Sequence, residues 1–173
     1  MNDDIIKLAL SYDLGSDLHE DRRLLSKTED GSYKPRIKKS TDEEWNKIHG
    51  TDEVDIANCT FENLPSNWQH ENLEAAKVVI NLVFDNVITN KNITKDLLEE
   101  KAVIVHEEWL KRNEWVFDPN NGNPSLAVPF SNLSKEEKDK DINQLKRAIK
   151  KIEDYKNGLI DIDELCFKYS ILI

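Results

Sequence analysis

A mainly α-helical, compact bundle of about six helices, with irregular arms and very short strands, is the fold class that the sequence predicts. Three observations predict it. Apolar residues recur at three- and four-residue spacings over residues 66–87 and again at Ile142, Leu145, Ile149 and Ile152, the period of a helix face turned inward. Helix-start patterns stand at Thr41-Asp42-Glu43-Glu44 and Ser134-Lys135-Glu136-Glu137, where a side-chain oxygen can accept a free backbone N–H and a glutamate can answer it. Charged residues make up 34% of the chain against 38% apolar, with a mean hydropathy of -0.66, so each helix is expected to keep a broad solvated face.

Taken in order, residues 4–10 read as a short apolar helix that Gly15 interrupts, with Ser16 or Asp17 capping a second helix through Leu18, His19, Arg22 and Leu25. Asp30-Gly31 signals a turn and Pro35 opposes helix, so residues 28–40 are predicted to be a loop or a short extended arm. Thr41 caps a helix that Gly50 ends, and residues 54–61 read as irregular. Pro65 sits where a helix start loses nothing by lacking an N–H, and the long helix from about Ser66 to Val87 follows. Thr94 or Asn92 caps the next, which runs to about Asn113. The turn formers of residues 118–124 are flanked by Trp115-Val116-Phe117 and Leu126-Ala127-Val128, predicting two very short strands there. Ser134 begins a helix that ends near Asn157-Gly158, and Asp161 caps a last one carrying Leu165, Phe167, Tyr169 and Ile171.

At 173 residues the chain is expected to form one globular domain of two packed halves, residues 1–90 and 91–173. No apolar run reaches the roughly 18 to 20 residues that span a bilayer, and Met1-Asn2-Asp3-Asp4 lacks a signal peptide's basic start, so a cytoplasmic protein with no membrane partner is expected. Cys59 and Cys166 stand far apart, which argues against a disulfide framework or a zinc site. A net charge of -10 and a pI near 4.9 oppose a phosphate backbone, so no nucleic-acid partner is expected. Locally the sign reverses: Lys34, Arg36, Lys38 and Lys39 share one turn-rich segment, either as an anion-facing patch or as a solvated loop balanced by Asp42-Glu43-Glu44.

The two halves echo one another. Phe61, Asn63, Leu64, Lys77 and Ile80 recur as Phe130, Asn132, Leu133, Lys146 and Ile149, each 69 positions on, and the pairs His19-Glu20 and His106-Glu107 precede the two series. The physical reading is a helix, arm, helix unit stacked on its relative because one unit cannot bury its face alone. His106-Glu107-x-Trp109, then Trp115 with Phe117, then Val128-Pro129-Phe130 and Leu133 before a charged helix, resembles the RyR domain family, found in tandem in ryanodine receptor channels and as a module in bacterial and phage proteins. The likeness covers residues 103–152 and, more weakly, 17–84, where Arg22 takes the place of Trp109. It implies two RyR-like units, a bacterial or phage origin, and a non-enzymatic module that senses a nucleotide-derived ligand or mediates assembly.

No catalytic constellation emerges. The position four after each histidine is Leu110 or Arg23, so the zinc-protease pattern is incomplete, and no nucleophile motif or glycine-rich phosphate loop is present. Residues 153–164 imitate a calcium loop, but Tyr155 stands where a ligand is required. No enzyme activity, metal or cofactor is expected. His19 and His106 either tether the arm that follows or touch a ligand. Trp109, Trp115, Phe117 and Phe130 either frame an aromatic pocket or fill the core. The candidate ligand residues are accordingly His106, Trp109, Trp115, Phe117, Lys34, Arg36 and Lys38, and the framework residues are His19, Glu20, Phe61, Leu64, Glu107, Pro129, Phe130 and Leu133. A phosphate attached to a planar ring, held between the basic arm and the Trp115 arm, is the expected guest of a binding module; a protein partner or a homo-oligomer is the expectation for an assembly protein.

Overall fold

The computed structural model describes residues 2–172 and is mainly helical, with six α-helices and one two-stranded sheet among those residues. Helix α1 spans Asp3–Leu24, α2 Glu43–His49, α3 Ser66–Ile88, α4 Lys95–Arg112, α5 Lys135–Lys156 and α6 Ile162–Lys168. Strands β1 (Ile37–Lys39) and β2 (Glu53–Asp55) pair antiparallel, Ile37 opposite Asp55, Lys38 opposite Val54 and Lys39 opposite Glu53. No helix of the described residues is long and apolar enough to cross a membrane.

Several local expectations are corrected. Gly15 does not break the first helix: α1 runs through it for 22 residues. A Cβ there would lie 3.4 Å from the Asn72 carbonyl oxygen and 3.5 Å from the Leu73 Cα, ordinary contact distances, so α3 passes beside Gly15 without requiring a glycine. The α2 cap is Asp42 rather than Thr41, because the Asp42 Oδ1 accepts from the Trp45 N–H at 3.0 Å while its Oδ2 accepts from the Ser66 N–H and Oγ at 3.0 and 2.8 Å. One carboxylate thus serves the starts of α2 and α3, and those hydrogen bonds, the Trp45 N–H foremost, hold it below the usual aspartate range. The short strands form at residues 37–39 and 53–55, not beside Asp118-Pro119; Glu114–Phe117 is a 3-10 turn instead. The last helix stops at Lys168, and Tyr169 closes it, so Ile171 lies outside.

The chain divides into two compact units: residues 12–74, and residues 1–11 together with 75–173. Both boundaries fall inside helices, α1 and α3. In the unit of residues 12–74, Val54, Phe61 and Leu64 form a buried cluster against which Trp45, Ile56, Cys59 and Trp68 pack. In the other unit α4 packs against α5 and against the 3-10 turns Glu114–Phe117 and Phe130–Asn132. Val79, Ile80, Val83 and Phe84 of α3, Ala102 and Val105 of α4, and Leu145, Ala148 and Ile152 of α5 are buried there. Residues 153–164 are a helix end closed at Gly158 (φ 77°) and a helix start capped by Asp161, which accounts for the calcium-like spacing.

Candidate functional site

Both histidines tether a returning chain. His19 Nε2–H donates to the Cys59 carbonyl at 2.6 Å, and His106 Nε2–H donates to the Val128 carbonyl at 2.7 Å. Each acceptor stands two residues before a phenylalanine, Phe61 or Phe130, that opens a 3-10 turn and is itself buried. Each turn ends on a buried leucine, Leu64 or Leu133, with the same backbone angles, φ -68° and ψ 153°. A helix follows in both cases. Burial holds the His19 imidazole below its ordinary pKa, outweighing the Cys59 hydrogen bond and the Glu20 charge. The first tether is reinforced by Arg23, whose Nε–H donates to the Ala57 carbonyl at 2.9 Å while its guanidinium pairs with Glu20 at 2.9 Å and lies over Tyr33. Glu107 is exposed, as is Pro129, which precedes the second 3-10 turn.

In the unit that contains α4, the His106 ring is buried and parallel to Trp109, centroids 6.1 Å apart, and Trp109 meets Trp115 edge-on at 6.4 Å. Trp115 and Phe117 remain more than half exposed, at 54% and 56%, on a turn whose Val116 points inward. Gly122 locks that turn: a Cβ on it would fall 2.3 Å from the Val116 carbonyl oxygen and 2.4 Å from that of Asp118. The structure therefore brings His106, Trp109 and Trp115 into one run of rings, with Phe117 two residues further along the same turn.

Lys34, Arg36 and Lys38 belong to the other unit, that of residues 12–74. Lys34 and Arg36 line an open depression of about 360 Å³ with Leu25, Lys27 and Pro35. Lys38 extends its ammonium over the Trp68 ring, 5.0 Å from the centroid. Partial burial lowers the Lys38 pKa below the ordinary lysine value, and the Arg22 and Arg36 charges lower it further while Glu71 opposes them. Residues 22–39 carry seven cations against Glu29 and Asp30, a net +5 in a chain of net -10. Electrostatically this face suits an anion, and an approaching phosphate would relieve the mutual repulsion of Arg22, Arg36 and Lys38.

Arg22, Lys27, Trp68 and Glu71 were not legible as site residues. Arg22 lies near the end of α1 and Trp68 in the first turn of α3, and only the pairing of β1 with β2 sets Lys38 beside them. The available signal was Arg22 itself, standing where the other His-Glu segment has Trp109. Comparison with protein-family models, curated proteins and solved structures returns no match.

Proposed function

We propose that the chain is a non-catalytic binding module of the RyR-domain type, and that its guest is a small nucleotide-derived anion taken on the basic face of residues 22–39. The observation that carries the binding reading is the Lys38 ammonium held over Trp68 with the Arg22 and Arg36 charges beside it. Cations and a ring on one face match a phosphate joined to a planar base. Two histidine tethers of one geometry, each leading into a Phe-x-Asn-Leu turn and a helix, support the duplicated unit that the resemblance implies. The test is a thermal-shift screen of nucleotides and their derivatives. A specific guest at about a hundredfold its Kd adds about 2.7 kcal/mol of stability, and the paired substitution Arg36→Ala with Lys38→Ala removes that gain. A flat screen sinks the reading.

A second reading, an assembly protein of a bacterial or phage complex, draws on Trp115 and Phe117, exposed together on a turn locked by Gly122. On this reading light scattering shows an oligomer that Trp115→Ala with Phe117→Ala dissolves; a monomer at every concentration removes it.

A further inference from the structure

Among the described residues, nothing pairs with the outer edge of β1. The sheet has two strands, so β1 meets β2 on one side only. The Ile56 N–H donates to the Arg36 carbonyl at 2.9 Å and the Ser40 N–H to the Asp52 carbonyl at 2.7 Å, which fixes the phase of the ladder. Arg36, Lys38 and Ser40 turn their backbone groups toward β2, so the N–H and C=O of Ile37 and Lys39 point away from it. All three strand residues are exposed, Ile37 at 56%.

Such an edge offers two N–H donors and two carbonyl acceptors to any extended chain. Its side chains decide which chain. A second copy of the same edge is disfavoured, since Lys38 would face a lysine across an antiparallel pair of β1 strands. The partner that β1 already holds shows what does fit: Glu53-Val54-Asp55 alternates acid, apolar, acid, setting Glu53 opposite Lys39 and Asp55 opposite Ile37. Beside the strand lie Arg36 and Lys34, with Leu25, 86% exposed, and Pro35 in the same depression, so a longer segment meets more cations and an apolar landing.

We infer that the β1 edge is a docking strip for an extended acidic segment of another protein, one alternating carboxylate and apolar side chains, which adds to the sheet as a third strand. This rests on the anion-binding reading only for the charge of the face; the recognising groups are backbone amides that a nucleotide does not need.

The probe is a fluorescent ten-residue peptide of alternating glutamate and valine, with a lysine-valine peptide of equal length as control. Binding of the acidic peptide alone, weakened by salt, is expected, together with slowed hydrogen exchange at the Ile37 and Lys39 amides of the unaltered protein. Ile37→Pro removes one outward N–H without touching the ladder or any charge, and weakens the peptide about tenfold. Circular dichroism and the melting temperature of that variant show whether it is folded, and the exchange measurement stands without it. Peptide binding that leaves both amides unprotected overturns the inference, as does equal binding of the control peptide. Preference for phosphatidylserine vesicles or polyuridylate over the peptide overturns it too. Failure here with nucleotide stabilisation still lost in the Arg36→Ala, Lys38→Ala protein leaves the anion reading standing; loss of both ends both.

Discussion

The imidazoles of His19 and His106 are placed to be missed when removed. Each satisfies a carbonyl in a buried setting, so His106→Ala strands the Val128 oxygen and is expected to cost about 1 to 3 kcal/mol in denaturant unfolding. His19 adds a pH dependence. Its folded pKa is held below the free value, so both states are neutral above about 6.5; as pH falls below that the unfolded chain takes the proton first and stability declines until the folded imidazole also titrates. His19→Gln should flatten that decline. If the decline persists unchanged, another group causes it. Gly122 leaves no room for a side chain: Gly122→Ala drives a methyl into two backbone oxygens and should cost about 1 to 3 kcal/mol while loosening the Trp115 turn. Tryptophan fluorescence alongside the melting curve would register both effects, and a wild-type melt would refute the close packing.

Among the elements, helix ends were the most legible features. Ser134, Thr94, Asp161 and Gly50 act where their side chains or φ preferences place them, because a cap is decided within four residues. Gly15 was misread because the packing of α1 beside Asn72 and Leu73, which keeps the helix continuous, involves residues more than fifty positions away. For the same reason the sheet was not legible, three residues pairing with three across a helix, and neither was Lys38 over Trp68. The basic segment itself was plain in the sequence; what assembles around it was not. α5 carries a liability of its own. Burial, with the Glu137 charge adding to it and Lys140 opposing, raises the Asp141 pKa to about 7. The unfolded chain releases that proton near pH 3.9, so this carboxylate weakens the fold increasingly as pH climbs from about 4 to about 7, above which the penalty levels off. Asp141→Asn is expected to stabilise by on the order of 2 kcal/mol at pH 8 and to make no difference at pH 3. A gain equal at both values would assign the effect to something other than ionisation.

For the molecule as a whole, charge is unevenly spread: +5 on residues 22–39 leaves -15 on the rest. Like charges on that remainder repel at low ionic strength, so the melting temperature should rise when salt is added up to about 0.5 M, beyond which the Debye length is only a few ångströms. A melting temperature that falls with salt would mean that attractive pairs dominate instead. The same salt should weaken an anionic guest, so stability and affinity are expected to move in opposite directions along one titration. The two histidine tethers bear on the molecule's capacity to change. One closes a stretch of 40 residues and the other a stretch of 22, with the same bond to the same place before a phenylalanine. Closure entropy grows only with the logarithm of length, so the clasp is indifferent to what it encloses. A foreign segment spliced at the exposed Thr28–Ser32 tip should be carried as cargo, its ends delivered to fixed positions, and the fold becomes a mount on which new arms can be tried without rebuilding what holds them.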